Sequence, residues 1–440
     1  MSNRAKTILL LLVDTCLLFL SLTLVIWVRN YGDARSDFLL SHYHLFSYLF
    51  PLWILVFFIE GLYTLKTYNP AILPISLIRG TLSSVILSIL AIYLMPKDLA
   101  DITPKTNLIL IALVSLPLIF LWRRSFFNYF AHESRSRGTL LLGSTETLKL
   151  VQYEIERKPH LGYRIVGAHA LEEMHSLQIS PDVQLIAIER NVAKDQKVYQ
   201  EVFKYLGSGV EVIDLAKFAE RISGKIPIRA IDESWFIEYC GHQESRSYDV
   251  VKNLIDRSIA LLMMILLIPL MVFLLPILLI VHGRPVFFTQ KRTGLNNQPF
   301  TLYKLRSMVV DAEKSGAQWA KPGDARITPL GKILRKTRLD ELPQLINILK
   351  GEMSLVGPRP ERPEMIDKEL APKIPFYNLR HLVKPGVTGW AQVTFRYGFS
   401  TEDSLEKLQY DLFYVKNRSW WLDMLVILKT IKTVLTGAGQ

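Results

Sequence analysis

The chain has 440 residues, of which 50% are hydrophobic, and its formal net charge is +12 at pH 7. This length and hydrophobic content exclude a simple soluble protein of one domain and indicate several units, at least one of them in lipid. The positive charge suits nucleic acid, anionic lipid or phosphorylated substrates, so only its distribution along the chain can choose between them. Cys16 and Cys240 are the only cysteines, and no Cys/His spacing is typical of zinc, which excludes a disulfide framework and indicates cytosolic soluble parts.

Four apolar runs in the first part of the chain are long enough to cross a bilayer core, which takes about 20 helical residues. They lie at residues 7–27, 43–65, 75–95 and 107–122 plus flank. Arg4 and Lys6 precede the first run and no small-residue cleavage site follows it, so we interpret it as a retained anchor. Basic residues also lie between the second and third runs and after the fourth. The positive-inside bias therefore predicts that both ends of this four-helix bundle are cytoplasmic.

Short apolar stretches separated by polar, helix-like segments follow the fourth run. The stretches at residues 139–142, 164–168, 183–188 and 210–213 predict a small Rossmann-like α/β domain with a parallel sheet. After the first strand, Gly143-Ser144-Thr145-Glu146 stands where a dinucleotide site requires G-x-G-x-x-G, and two of those glycines are missing. We therefore favour a structural, regulatory or dimer-forming role for this domain over a working cofactor site.

The apolar segment at residues 259–281 contains no polar side chain and has Pro269 near its middle. Basic residues flank it on both sides, with Lys252 before it and Arg284 after it, so both flanks are expected to be cytoplasmic. Because proline removes an internal hydrogen bond and kinks a helix, we predict a re-entrant helix at residues 258–282 that bends at Pro269. A kinked transmembrane helix remains the alternative, since proline is tolerated in full spans.

Basic residues are concentrated beyond this segment. Between Arg284 and Glu341, 12 basic residues face five acidic ones. Anionic headgroups next to a membrane segment would explain scattered lysines, whereas the arginines are better suited to forked contacts with phosphate. The expected phosphate- or substrate-binding residues are Lys304, Arg306, Arg335, Arg338 and Arg359.

Two adjacent carboxylates, Asp340 and Glu341, stand within this basic stretch, just before Pro343. An acid pair at a helix start commonly serves only to cap the helix and compensate its dipole, which stabilises the helix by about 0.3–1 kcal/mol. In a phosphate-binding environment, however, one carboxylate can attack phosphorus while the other holds Mg²⁺ bridging a diphosphate. The surrounding arginines would keep both groups ionised and neutralise charge on the transferring oxygens. The pair is therefore the candidate catalytic centre.

Five motifs follow one another in the second half of the chain. They are RPVFFTQKRTG at 284–294, YKLRSM at 303–308, LDELPQ at 339–344, LKGEMSLVGPRP at 349–360 and KPGVTGWAQV at 384–393. In this order they closely resemble the bacterial sugar transferase family, the monotopic phosphoglycosyl transferases, over residues 248–437. The preceding bundle and α/β domain resemble those of the larger members, which initiate exopolysaccharide or O-antigen repeat units on undecaprenyl phosphate.

The resemblance implies transfer of a sugar-1-phosphate from a UDP-sugar to undecaprenyl phosphate through a phosphosugar-aspartyl intermediate. Asp340 matches the family nucleophile and Glu341 the residue tied to magnesium. The basic positions that the family associates with the diphosphate or lipid phosphate match Lys304, Arg335 and Arg359. One departure is Ile268-Pro269, where many members carry Ser-Pro at the bend of the re-entrant helix.

The expected architecture is a multi-domain membrane protein. It comprises a four-helix transmembrane bundle at 1–125, a Rossmann-like α/β domain at 138–240 and a mainly α catalytic domain at 248–440 that contains the re-entrant helix. The resemblance implies a bacterial inner-membrane protein with its catalytic domain on the cytoplasmic face. Expected partners are a UDP-sugar, undecaprenyl phosphate, membrane lipid and a second copy of the chain in a homodimer, with Mg²⁺ as cofactor and no nucleic acid.

Two helices are predicted near the end of the chain, at residues 403–414 and 419–435. The second is amphipathic, and Trp420 and Trp421 at its start suit a membrane interface, although packing on a protein core is at least as well supported. The spacing from FYNLRH at 376–381 into the loop at 384–393 resembles that of the exopolysaccharide subgroup, and this loop is expected to shape the nucleotide or sugar pocket.

Two other functions remain open. A membrane-anchored NAD-dependent nucleotide-sugar dehydratase or epimerase would use the α/β domain, and the missing glycines after Gly143 count against it. An inactive assembly scaffold would not require the Asp340-Glu341 pair and its arginines.

Overall fold

A computed structural model describes most of the chain. The described residues are 3–29, 36–65, 68, 70, 72–95, 105–132, 136–170, 180–190, 196–205, 207–240, 246–310, 312, 324–395 and 400–435. The chain divides into two compact units, Met1–Ser223 and Gly224–Gln440. This boundary falls within the range 138–240 that the sequence assigns to the α/β domain.

Long apolar helices form the first part of unit 1: α1 Asn3–Arg29, α2 Ser36–Ile59, α3 Leu73–Leu94 and α4 Lys105–Ala131. Both α1 and α3 pack against α2 and α4. Each helix is long and apolar enough to cross a membrane, and outward-facing residues such as Leu82 and Leu113 are 58% and 64% exposed. Such surfaces are expected in lipid rather than in water. The predicted apolar helices are confirmed, although α2 ends at Ile59, before a turn in which Gly61 has φ +80°.

A parallel sheet forms the second part of unit 1, as the sequence predicts. Its strands lie in the order β2-β1-β3-β4. Leu140 and Leu142 of β1 pack on one face of the sheet, and Leu141 packs on the other. Burial on both faces explains the continuous apolar runs of the central strands. The elements are β1 Arg137–Gly143, α5 Thr145–Arg157, β2 Tyr163–Ala170, β3 Val183–Ile188, α6 Gln196–Phe203, β4 Glu211–Asp214 and α7 Leu215–Ser223.

One loop of this α/β part contacts the ends of several long helices. Lys6 of α1 donates hydrogen bonds to the carbonyls of His160 and Leu161 at 3.2 and 3.1 Å. The Nε2 atom of His160 lies 2.6 Å from the carbonyl of Leu65, which follows α2. The ring of Phe127 in α4 lies edge-on to the ring of His160, with centroids 5.6 Å apart. The α/β part therefore lies at one end of the long helices. It contacts the start of α1, the segment after α2 and the end of α4 there.

A carboxylate occupies the turn between β1 and α5. Glu189, which follows β3, accepts a hydrogen bond at 2.5 Å from the backbone N–H of Ser144 at the start of α5. A Cβ atom on Gly143 would lie 2.7 Å from this carboxylate, so packing within the protein requires this glycine. A dinucleotide would place its pyrophosphate at the same helix end. The Glu189 carboxylate already occupies this helix end, where it would repel a pyrophosphate. The arrangement therefore argues against a dinucleotide site in this domain.

Unit 2 is mostly helical, as predicted. Its short strands pair as an antiparallel hairpin, β5 with β6, and as a parallel pair, β7 with β8. Its elements are α8 Glu233–Cys240, α9 Arg246–His282, β5 Phe287–Thr293, β6 Pro299–Leu305, α10 Pro329–Lys336, α11 Gln344–Lys350, β7 Ser354–Val356, α12 Pro363–Met365, β8 Gly386–Thr388, α13 Trp390–Thr394, α14 Thr401–Lys416 and α15 Trp420–Leu435.

The longest of these helices, α9, has 37 residues and contains Pro269 and Pro276. Before Pro269, Ala260 packs in a cluster with residues of β6 and α11. After Pro269, Leu278 packs with Leu305 of β6 and with Leu334 of α10. Both halves of this apolar helix therefore contact the rest of unit 2.

Candidate active site

The acid pair lies in a single 3-10 turn, Leu339–Glu341, between α10 and α11. Arg338, which precedes the turn, has φ 55°, and Pro343 suits the start of α11 because a first-turn residue needs no N–H donor. Both carboxylate residues are largely shielded from solvent in this irregular connection. Asp340 is 6% exposed and Glu341 is 9% exposed.

Glu341 is held by cations on both carboxylate oxygens. Lys304 of β6 and Arg359 donate hydrogen bonds to Oε1 at 3.2 and 2.8 Å, and Arg338 donates to Oε2 at 3.4 Å. Burial raises the pKa of Glu341, but the charges of Arg359, Lys304 and Arg338 outweigh burial and hold the pKa well below its usual range. Glu341 is therefore ionised at neutral pH and fixed in position.

Asp340 has the opposite environment. Burial raises its pKa, and although Lys304 lowers it, the charge of Glu341 raises it further. Among the residues that the structure describes, none donates a hydrogen bond or forms an ion pair with this carboxylate. A buried carboxylate without hydrogen-bond donors is a poorly stabilised anion, so its lone pairs are available to an electrophile.

The structure brings Lys304, Arg335, Arg338 and Arg359 together around the acid pair. Burial lowers the pKa of Arg335, and the charge of Asp340 partly offsets this. The Nε atom of Arg335 donates to Ser307 at 2.9 Å. Part of the basic stretch, residues 313–323, lies outside the described residues.

Arg306 lies elsewhere, at the C-terminal end of α9. It donates hydrogen bonds to the carbonyls of His282 and Gly283, the latter at 3.1 Å. Its exposed fraction is 7%. These contacts hold the end of α9 against β6, while the phosphate-binding role of Arg306 stays a prediction.

A buried ionic cluster supports Arg359. Arg380 donates to the carbonyl of Arg359 at 2.8 Å and forms an ion pair with Asp411 of α14 at 2.7 Å. Glu361, two residues after Arg359, pairs with Lys407 of α14. Burial raises the pKa of Glu361, but the charges of Lys407, Arg380 and Arg292 lower it to about 2. The sequence marks Arg380 only as part of the segment 376–381, and it marks Lys407 and Asp411 only by their i, i+4 spacing on one helix.

The acid pair is also the expected binding site for Mg²⁺. Within the described part of the chain, no three His, Cys, Asp or Glu side chains are grouped so that they could hold a metal ion. Mg²⁺ is commonly held by one or two carboxylates, with water and substrate phosphates completing its shell. Asp340 and Glu341 supply the two carboxylates of such a sparse donor set, but both oxygens of Glu341 already accept hydrogen bonds from cations, so its role as a Mg²⁺ ligand stays a prediction.

The chain also matches known proteins. The bacterial sugar transferase family matches residues 247–437. A UDP-N-acetylgalactosamine-undecaprenyl-phosphate N-acetylgalactosaminephosphotransferase of Aeromonas hydrophila is 37% identical over 287 residues, which cover 64% of this chain and 67% of the relative.

Other relatives share shorter regions. A sugar transferase of Bacillus subtilis (strain 168) is 39% identical over 194 residues, which cover 43% of this chain and 90% of the relative. A UDP-glucose:undecaprenyl-phosphate glucose-1-phosphate transferase of Xanthomonas campestris pv. campestris is 38% identical over 224 residues, which cover 50% of this chain and 45% of the relative. The family match includes the acid pair and every cation around it, and the chain therefore belongs to the bacterial sugar transferase family.

Proposed function

We propose that the protein transfers a sugar-1-phosphate from a UDP-sugar to undecaprenyl phosphate at the cytoplasmic face of the bacterial inner membrane, initiating an exopolysaccharide or O-antigen repeat unit. The names of the relatives support these classes of donor and acceptor. The observation that carries the mechanism is the contrast between neighbouring carboxylates. Lys304, Arg338 and Arg359 hold Glu341, whereas no described residue forms a hydrogen bond or ion pair with Asp340.

In the first step, a carboxylate oxygen of Asp340 attacks the phosphorus that bears the sugar. A new P–O bond forms, the bond from this phosphorus to the bridging oxygen breaks, and UMP leaves with the electron pair. Lys304, Arg335 and Arg359 stabilise the charge that spreads over the phosphoryl oxygens, which is the main task of a phosphoryl-transfer site. The product of this step is a phosphosugar-aspartyl enzyme.

In the second step, an oxygen of undecaprenyl phosphate attacks the same phosphorus and displaces Asp340 as a carboxylate. The product is a lipid diphosphate that carries the sugar, and neither step requires a net proton transfer. Glu341, with Asp340 beside it, would hold Mg²⁺. When bound, Mg²⁺ supplies charge neutralisation of the diphosphate.

The contacts of α9 support the re-entrant helix. Asp256 near its start accepts a hydrogen bond from Ser354 at 2.5 Å, and His282 at its end lies 2.8 Å from the hydroxyl of Thr328. In a straight helix these ends would be about 39 Å apart, which exceeds the roughly 30 Å of a bilayer core. A catalytic unit on one side of the membrane could not contact both ends of a crossing helix. A bend at Pro269 returns the chain to the starting side.

The contacts of α1 to α4 support a four-helix transmembrane bundle. The start of α1 and the end of α4 contact the same loop of the α/β part, which supports placing both on one side. By the positive-inside bias, that side is the cytoplasm. The homodimer stays a prediction, which the mass of the protein in lipid discs would test.

The direct test uses the full-length protein in lipid discs with a panel of UDP-sugars. With undecaprenyl phosphate present, we expect UMP release and a lipid-linked sugar diphosphate. Without the acceptor, we expect one UMP per active site and a sugar phosphate covalently attached to the protein, as in other double-displacement enzymes. UMP release that strictly requires the acceptor would contradict the covalent intermediate, and absence of release with every donor would contradict the proposed function.

A further inference from the structure

A segment outside the family match belongs to the catalytic unit. The strap, residues 224–240, precedes the matched region 247–437 and lies in unit 2. The carbonyl of Gly224 accepts a hydrogen bond from the indole N–H of Trp390 at 3.1 Å. Next to it, Lys225 pairs with Glu406 at 2.9 Å. The strap is thus bound to the start of α13 and to α14.

The second half of the strap is also packed on unit 2. Trp235 is fully buried, and the ammonium of Lys416 in α14 lies 4.3 Å from the centre of its ring. The neighbouring Phe236 packs against Phe376, with ring centroids 5.0 Å apart. Contacts of this kind are those of a core element rather than of a free linker.

The strap contacts both elements that hold the cluster beneath Arg359. On α14, Glu406 and Gln409 face the strap, with the Gln409 carbonyl accepting from the Ile226 N–H at 3.1 Å. Lys407 and Asp411 lie on another face of the same helix, because residues advance about 100° each along an α-helix. From that face they pair with Glu361 and Arg380.

The second element is the 3-10 segment Tyr377–Leu382, which contains Arg380. Phe376 immediately precedes it with φ 61°, a conformation that a bulky residue adopts only where its surroundings impose it. Phe236 packs directly on this residue. Strap and segment are therefore linked at the point where the segment begins.

We propose that the strap positions Arg359 for the phosphoryl transfer described above, with Phe236 as a positioning residue. The inference rests on the proposed function for its catalytic consequence. Phe236 fixes Phe376, the segment after Phe376 fixes Arg380, and Arg380 holds the carbonyl of Arg359, whose guanidinium binds Glu341. Because a misplacement of about 1 Å at a reacting centre can cost roughly 10²-fold in rate, loosening the strap lowers kcat without removing any group that binds substrate.

The test compares strap variants of the full-length protein in lipid discs. Phe236→Ala is expected to lower kcat on the order of tenfold while KM for the UDP-sugar changes less than about twofold, since transition-state positioning rather than substrate binding is lost. Phe236→Tyr keeps the ring and should restore kcat. Ile237→Ala is the matched control, because Ile237 lies in the same helix and is 73% exposed. Lys225→Gln breaks the ion pair with Glu406 without opening the core, and should also lower kcat.

Hydrogen exchange supplies a readout that does not depend on turnover. Amides of residues 354–361 should exchange faster in Phe236→Ala than in the wild type or in Ile237→Ala. Wild-type kcat and unchanged exchange in both Phe236→Ala and Lys225→Gln would overturn the proposal. If Phe236→Ala does not fold, kcat and hydrogen exchange of Lys225→Gln alone test the proposal. If the wild type transfers no sugar phosphate but exchange at 354–361 still depends on the strap, the proposed function fails while the structural coupling stands.

Discussion

Arg359 donates a hydrogen bond to Glu341 at 2.8 Å, and this contact helps to divide the roles of two adjacent carboxylates. Burial raises the pKa of both carboxyl groups. For Glu341, the charges of Arg359, Lys304 and Arg338 outweigh burial, and the pKa is lowered. For Asp340, burial outweighs the neighbouring positive charges, and the pKa is raised. Paired groups whose environments push their pKa values apart commonly have different catalytic tasks. This contrast supports the proposed division, in which Glu341 is fixed and Asp340 attacks.

Asp340→Asn should abolish transfer, with kcat lower by at least roughly 10³-fold, because an amide cannot serve as the nucleophile. We expect no sugar phosphate on the protein when intact mass is measured after incubation with a UDP-sugar. Asp367→Asn is a matched control, since Asp367 is exposed on the same unit. Turnover near the wild-type rate by Asp340→Asn would end the covalent proposal.

The same substitution should raise stability at neutral pH. A carboxyl whose pKa is raised on folding binds more protons in the native state than in the unfolded state, so stability falls as pH rises through the window above the unfolded pKa of about 3.9. Asp340→Asn removes this penalty, and each 1 kcal/mol gained raises Tm by roughly 2–4 °C. The gain in Tm over the wild type should be largest near neutral pH and shrink as pH falls towards about 4. A lower Tm for Asp340→Asn at neutral pH would contradict this account of Asp340.

Glu341→Gln should lower kcat by about 10²-fold, because it removes the charge that orders Lys304 and Arg359 beside Asp340, the proposed nucleophile. A neutral amide is also a weaker ligand for a hard cation, so the Mg²⁺ concentration needed for half-maximal rate should increase. Magnesium titrations of the wild type and the variant would measure this. The same magnesium dependence in both proteins would assign the metal to other groups.

A shortened chain that starts at Gly224 should be more stable than one that starts at Ser247. The shorter chain loses the Gly224 carbonyl, which leaves the buried Trp390 N–H without its acceptor, at a cost of about 1–3 kcal/mol. It also exposes the surface covered by Ile226 and Trp235, both fully buried. Both chains contain every catalytic motif, so we expect transfer by both in lipid discs, with the lower kcat in the chain from Ser247. Equal Tm and kcat would show that the strap contributes nothing.

The candidate catalytic centre could be proposed from sequence because its residues lie in dense local motifs. Asp340, Glu341 and Arg338 are neighbours in the chain, and the structure brings Lys304 and Arg359 to them. Contacts between ordinary residues that are distant in sequence could not be predicted. The Glu189 carboxylate reaches Ser144 from 45 positions away, and Asp411 reaches Arg380 from another helix.

Helix and strand types were also predictable, because apolar runs and alternating stretches reflect burial directly. Their ends were less so. The apolar pattern continues to residue 65, but α2 ends at Ile59, where the backbone turns at Gly61. The strap carries no motif and no long apolar run, so only its contacts in the fold assign it to the catalytic unit.

Cysteine labelling on both sides of α9 tests whether this helix is re-entrant. In a protein whose native cysteines, Cys16 and Cys240, are replaced by serine, Ser247→Cys and Gln298→Cys should both react with a membrane-impermeant thiol reagent from the cytoplasmic side. These positions flank the apolar segment, and both are exposed. Gln298 is preferable to Asn296, whose φ of 51° would strain a cysteine. Asp98→Cys, between α3 and α4, is the control expected to react from the periplasmic side.

The expectation follows from charge and geometry together. Basic residues flank α9, and its two halves contact one compact unit. Under the proposed function, the acid pair of that unit meets a cytosolic UDP-sugar. A straight span would leave one basic flank outside the cytoplasm and would place the acid pair on the periplasmic side. Pro269→Leu restores a backbone donor and helix continuity, so it should shift part of the Gln298→Cys population to labelling from the periplasmic side and lower transfer in proportion. If Gln298→Cys in the chain that keeps Pro269 is labelled only from the periplasmic side, the re-entrant helix and the cytoplasmic active site are both wrong.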